Sequence, residues 1–268
     1  MKLNWENGWG WLSERVYRMP KFFIDSKNIE GEVVRITGSD FNHISHSLRL
    51  KEGDKITVST GNGWDYLVKL TDFQEAMVTG KIINRQENNN EPSIKITLAQ
   101  AVPKKNNMEL IIQKATEIGV YCIIPLETSR TIVKLKDDKR KKRIDRWQKI
   151  VEEAAKQSQR GIIPEVKDLH TLKELKGLKD DFDLILIPWE SEQRRGLKGI
   201  WNNFKESENT NILIIIGPEG GFAEDEVDFV CSIGGIPITL GPRILRTETA
   251  GLVTLTMLLY ETGDLGGN

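Results

Sequence analysis

Two short runs limit this chain more than any other feature. Residues 183–189 read DLILIPW and residues 211–217 read NILIIIG. Neither alternates. A strand with one face in water alternates apolar and polar residues, whereas an unbroken apolar run belongs to a strand buried on both faces, as in a parallel sheet covered by helices. Both runs fall far short of the roughly 20 apolar residues that a membrane helix needs. The surrounding sequence fits the same architecture. Residues 94–100 (IKITLAQ) and 120–126 (VYCIIPL) read as strands. Between them Met108, Ile111, Ile112, Ala115 and Ile118 recur at helical spacing, and Gly119 is a helix stop. Residues 140–158 predict a second helix with Ile144, Trp147, Ile150, Val151, Ala154 and Ala155 on one face, residues 224–233 a third, and residues 247–261 the last, after the short strand PITLG. Strands alternating with helices over residues 93–268 predict an α/β domain with a mostly parallel sheet.

Residues 19–86 have a different texture. FFI, EVVRI, KITVST, YLVKL and AMVTGKII are short runs rich in β-branched residues, parted by turn signals such as Glu52-Gly53-Asp54 and Gly61-Asn62-Gly63. One helical interruption falls near SDFNHISHSLRL. A small β-barrel domain follows. The polar stretch from Gln86 to Pro92 reads as a linker. Residues 1–18 hold Trp5, Trp9 and Trp11 with no strand or helix period, and Met19 followed by PKFFI reads as a natural start, so residues 1–18 are expected to be an extension outside the core fold.

Composition excludes several classes. With 38 Lys+Arg against 39 Asp+Glu, the net charge of -1 rules out a uniformly basic nucleic-acid binder and leaves room for a local basic surface. The N-terminus lacks the apolar core of a signal peptide, so a cytoplasmic protein is expected. Cys122 and Cys231 sit in apolar surroundings and read as buried, reduced thiols. His43 and His46 could share a helix face, but no third ligand accompanies them, and no metal is expected.

Open α/β sheets bind ligands outside the carboxyl ends of their strands. Three such ends are unusual here: Ile187-Pro188-Trp189-Glu190, IGPEGGF from Ile216 to Phe222, and LGPRILRTETA from Leu240 to Ala250. In the second, Gly217, Gly220 and Gly221 allow close backbone approach. Their GxxGG spacing is not the dinucleotide fingerprint, Pro218 removes an amide donor, and no Gly-Lys-Ser/Thr follows for a phosphate loop. Glu219 would repel a phosphate, so a neutral or cationic ligand suits the loop, unless it is only a tight turn. In the third, Ile244 and Leu245 lie between Arg243 and Arg246. That arrangement suits either a clamp on a flat ring with an arginine left for an anion, or a plain surface loop.

IGPEGGF followed by LGPRILRTETA resembles the RsmE family, the 16S ribosomal RNA uridine-N3 methyltransferases of the SPOUT superfamily. The likeness continues through PKKNNMELIIQKATEIGVYCIIP, through Arg146-Trp147-Gln148-Lys149-Ile150 and Glu153-Ala154-Ala155, and through Gln157-Ser158-Gln159-Arg160. MPKFFI and HISHSLRLKEGD resemble the family's small barrel, which is similar to PUA domains, so the likeness spans about residues 19–262. It implies a trefoil-knotted α/β domain, a homodimer through that domain, and S-adenosyl-L-methionine bound in the knot. Carried over by motif, the cofactor residues are Leu186, Ile187, Pro188 and Glu190, then Gly217, Glu219, Gly220 and Gly221, then Leu240, Gly241, Ile244, Leu245, Arg246, Thr249 and Ala250. Two positions depart from the pattern. Ala223 stands where the family has Ser or Thr, which removes a helix cap worth about 1 kcal/mol. Ser47 stands where an apolar residue is usual.

The implied reaction is an in-line displacement in which uridine N3 takes the sulfonium methyl, with 16S ribosomal RNA in the small subunit as partner. Arg246 is expected to meet the uracil oxygens or the target phosphate, and Glu248, with Glu219 behind it, to handle the N3 proton. His43, His46, Arg49, Arg160 and Arg243 are the expected RNA contacts. Residues 134–146 hold eight basic and three acidic side chains and add a basic rim, while residues 206–228 hold seven acids and no Lys or Arg. A related SPOUT methyltransferase acting on tRNA or a ribose 2′-hydroxyl, and a catalytically silent RNA-binding protein, are the alternative readings.

Overall fold

β1 (Lys21–Phe23) pairs in parallel with β4 (Lys55–Ser59), and from there the sheet of the first unit runs through β5 (Trp64–Phe73), β6 (Met77–Glu87) and β3 (Val33–Thr37) to β2 (Ile29–Glu30). The computed structural model describes residues 19–105, 107–133, 137–202, 204 and 210–266. The expected extension, residues 1–18, and residues 134–136 of the basic run lie outside them. The chain divides into two units, Met1–Glu87 and Asn88–Asn268.

In the first unit Phe22, Ile56, Val58, Val68, Leu70, Val78, Val34 and Ile36 form one core with Phe41 and Ile44. β1 and β3 stand near opposite ends of the sheet yet share that core, so the sheet curls around it. The helical interruption is α1 (Gly38–Asn42) continued by a wider helical turn, His43–Ser47. Lys21 and Asp65 form a buried ion pair, 2.7 Å apart, between β1 and β5.

The second unit holds a seven-stranded sheet in which every pairing is parallel. In chain order its elements are β7 (Lys95–Ala101), α2 (Asn107–Ile118), β8 (Cys122–Glu127), α3 (Asp137–Gln157), β9 (Glu165–Val166), β10 (His170–Thr171) and a 3-10 helix, Leu172–Asp181. Then come β11 (Leu184–Pro188), α4 (Leu197–Trp201), β12 (Asn211–Ile216), α5 (Glu224–Ser232), β13 (Gly235–Ile238) and α6 (Thr247–Glu261). Across the sheet the order is β10-β8-β7-β12-β11-β13, with β9 also on β8. The two apolar runs behave as their lack of alternation requires. Ile212, Ile214 and Ile216 enter one core with Leu184 and Leu186, while Leu213 and Ile215 enter the other with Ile185 and Ile187. Gly119 ends α2 at φ 126°, a conformation that an L side chain rarely adopts.

Three expectations change. Residues 88–91 are not a free linker. Asn88 and Asn90 donate to the Gln159 carbonyl at 3.2 and 2.8 Å, and Glu91 accepts from the backbone N–H groups of Gly161 and Ile162. Arg160, expected to touch RNA, has a side chain only 3% exposed. It pairs with Glu91 at 2.6 Å and donates to the carbonyls of Thr116 and Val120, so its charge is answered inside the fold. Cys122 is buried, and burial pushes its thiol up to about 11. Cys231 is exposed, because it falls on the solvent side of α5, whose Val227 and Val230 face the core.

Candidate active site

The strand order reverses direction at β7 and β12. The chain leaves β7 toward β8, and later fills the positions on the other side. Outside the carboxyl ends of β7, β12, β11 and β13 lies a cavity of about 1040 Å³. All three singled-out loops line it. The first gives Pro188, Trp189 and Glu190, the second runs from Gly217 to Phe222, and the third runs from Leu240 to Arg246 and on to Glu248 and Ala250.

The glycine loop is held on several sides. Gly221 has φ 67°, and a Cβ there would stand 2.4 Å from the Glu190 carboxylate. The positive φ is the stronger reason for glycine here, because the Glu190 carboxylate ends a flexible side chain that can turn away. A Cβ on Gly217 would press on the Phe222 ring at 3.0 Å. Arg130 donates to the carbonyls of Gly220 and Phe222 at 2.8 and 3.2 Å. Glu219 accepts from the Lys104 backbone N–H at 2.7 Å, which ties the loop after β7 to the glycine loop. Glu226 lies in the first turn of α5, is nearly buried, and accepts from the N–H groups of Ser129 and Ala223. Its carboxylate at a helix start is favoured by the helix dipole and supplies the half of a capping box that does not need the Ala223 side chain.

The third loop is open. Gly241 has φ 105°, with nothing within 4 Å of its Cβ position. Ile244 is 89% exposed. The Arg246 side chain is 86% exposed, and its nearest acid is Glu248 at 3.9 Å. Arg246 has extended backbone and caps the start of α6 by accepting from the N–H groups of Thr249 and Ala250 at 2.8 and 2.9 Å. Thr247 is buried and donates its hydroxyl to the Gly217 carbonyl at 2.6 Å.

Some expected residues lie elsewhere. Leu186 and Ile187 are buried within β11 and support the wall from behind. Thr249 sits on the exposed side of α6 and does not line the cavity. His43, His46 and Arg49 are exposed in the first unit, with His43 edge-on to Phe22 and His46 edge-on to Phe41. Arg243 lines the cavity. Sequence reasoning passes over Lys104, Lys105 and Asn107, which line it directly after β7, and Gln193 after β11. The rule that ligands collect at the carboxyl ends of strands points at the first group, since IKITLAQ reads as a strand. Lys105 stands at φ 59°, in the left-handed region.

The lining mixes Glu190, Glu192, Glu219 and Glu248 with Lys104, Lys105, Arg243 and Arg246. Carboxylates beside a glycine cradle fit a cationic ligand without phosphate, and the basic residues fit a polyanion arriving from outside. Among the described residues no group of three or more His, Cys, Asp or Glu could hold a metal.

The RNA methyltransferase domain family matches residues 89–259, and the RNA methyltransferase PUA domain family matches residues 36–76. Ribosomal RNA small subunit methyltransferase E of Bacillus subtilis is 36% identical over 255 residues, 93% of this chain and all of that protein. The chain belongs to the ribosomal RNA small subunit methyltransferase E family. The family member of the same name from Mesomycoplasma hyopneumoniae is also 36% identical, over 91% of this chain and 100% of its own. Among solved structures, the Neisseria gonorrhoeae enzyme of this name, bound to S-adenosyl methionine, superposes with TM-score 0.78 at 27% identity, covering 91% of this chain and 98% of its own. A Legionella pneumophila protein solved with the cofactor SAM superposes with TM-score 0.80 at 30% identity, covering 91% of this chain and 98% of its own.

Proposed function

We propose that this chain methylates N3 of a uridine in 16S ribosomal RNA of the small subunit, with S-adenosyl-L-methionine as cofactor. The observation that carries the reading is the convergence of three separate loops on one cavity, whose wall combines the glycine loop with the carboxylates of Glu190 and Glu219. Residues 188–190, 217–221, 240–245 and 250 would hold the cofactor. S-adenosyl-L-methionine supplies a methyl group on a positive sulfonium and carries no phosphate, which suits a glycine loop with an acid in it.

Uridine N3 must lose its proton, so negative charge develops on the uracil ring. Electrostatic stabilisation of such charge is usually a large part of catalysis. Arg246 has an exposed guanidinium at the cavity and suits that task. Glu248 is the stronger candidate for the proton, because the Glu219 carboxylate already accepts from the Lys104 N–H. For RNA, the supporting features are Arg243 at the cavity, His43, His46 and Arg49 on the first unit, and the exposed Lys139, Lys141, Lys142 and Arg143 on α3. The target base must leave its stack to reach the cavity.

Three coarser expectations join this reading. The knot and the homodimer follow from the family likeness. A cytoplasmic location suits a ribosomal RNA substrate, and no described helix is long and apolar enough to cross a membrane.

Arg246→Ala should abolish methyl transfer while largely sparing cofactor binding by calorimetry; near-normal turnover would refute the assignment. Mass mapping of ribosomal RNA from a deletion strain should show one unmethylated uridine in 16S RNA. A missing methyl on tRNA or on a ribose hydroxyl would establish the neighbouring reaction instead, and an unchanged map would indicate a silent binder.

A further inference from the structure

Gln100 is the penultimate residue of β7, is fully buried, and takes no part in the cavity wall. Its amide nitrogen donates to the Ala101 carbonyl at 3.1 Å and to the Thr247 hydroxyl at 2.9 Å. Among the described residues its amide oxygen finds no hydrogen-bond partner, and it faces Gly251, whose Cβ position lies 3.2 Å away. A buried amide with an unanswered oxygen works against folding. An apolar side chain of similar size would avoid that cost.

What an apolar residue could not do is donate. The Gln100 nitrogen offers only protons, so the Thr247 oxygen must accept there. The single hydroxyl proton of Thr247 is then directed to the Gly217 carbonyl, at 2.6 Å. A three-member relay thus joins β7, the first residue of α6 and the first glycine of the cofactor loop. We propose that Gln100 is a positioning residue that sets the glycine loop against the Arg246–Glu248 segment through Thr247, an inference that rests on the function proposed above. The relay fixes the spacing between the loop that would hold the methyl donor and the loop that would meet the base.

The test is a double-variant cycle with Gln100→Leu and Thr247→Val in the full chain, plus Thr247→Ser. Misplacing a reacting pair by a fraction of an ångström to an ångström costs about tenfold to a hundredfold in rate. Each single variant should lose that much kcat on 16S RNA while still melting cooperatively, and the double variant should lose no more than either single, as members of one network do. Thr247→Ser keeps the hydroxyl and should recover most of the rate that Thr247→Val loses. If Gln100→Leu does not fold, the Val and Ser variants of Thr247 carry the comparison. A lower melting temperature with unchanged kcat, or losses that simply add, would overturn the relay. If the unaltered chain methylates no ribosomal RNA, the proposed function alone fails. The same cycle is then read in S-adenosyl-L-methionine affinity by calorimetry, where coupled losses support the relay and additive ones overturn it.

Discussion

Arg160 and Arg246 show how one residue type takes opposite roles. Arg246 keeps its guanidinium in water beside the cavity, with an acid no nearer than 3.9 Å. Arg160 turns its guanidinium into the fold, toward Glu91 and two backbone carbonyls. In sequence both sit in polar, family-like motifs, and nothing local separates them; the partner of Arg160 lies 69 residues away. Removing one member of a buried ion pair leaves the other uncompensated. Arg160→Ala should therefore cost about 3 kcal/mol in denaturant unfolding, toward the lower end for such pairs because Glu91 keeps some solvent. RNA affinity of the folded variant should not change, which a filter-binding titration would check.

At the scale of elements, the long periodic segments are legible in the sequence and the short ones are not. The spacing of Met108, Ile111, Ile112 and Ala115 marks α2, and the start expected for the last helix, residue 247, is where α6 begins. Residues 165–166 and 170–171 form two-residue strands, too short to carry any period, and the turns of the 3-10 helix at Leu172–Asp181 do not follow the α-helical repeat. Strand order is hidden for another reason. β12 inserts between β7 and β11, and that choice is made by packing between distant segments. The glycine and arginine loops are legible because strand ends, glycines and charges coincide there; Lys104 and Lys105 look like any charged turn. The missing cap at Ala223 is likewise only half a defect, since Glu226 already takes the Ala223 N–H. Ala223→Ser supplies the other half and should raise stability by about 0.5–1 kcal/mol, seen as a higher urea midpoint with an unchanged slope.

For the whole molecule, the near-zero net charge conceals an uneven distribution. Exposed Lys and Arg crowd the first half of α3, while acids gather on the glycine loop and α5. A protein of balanced charge can thus bind a polyanion locally and hold a cation elsewhere. A lysine that neutralises a phosphate releases counterions, so RNA affinity should fall steeply as salt rises. Lys141→Ala together with Lys142→Ala should flatten the log–log salt slope by about 1 for each of the two lysines that meets a phosphate. An unchanged slope would remove α3 from the RNA surface.

Lys105 carries one more consequence. A lysine at φ 59° holds a backbone conformation that a β-carbon disfavours by about 1 kcal/mol. Glycine would relax it. Lys105→Gly should therefore unfold at a higher temperature in a calorimetric scan, while removing an ammonium group from the lining of the cavity. In a library screened for heat resistance alone, glycine at this position would be favoured, and the molecules that survived the screen would have lost one of the four cations that line the cavity.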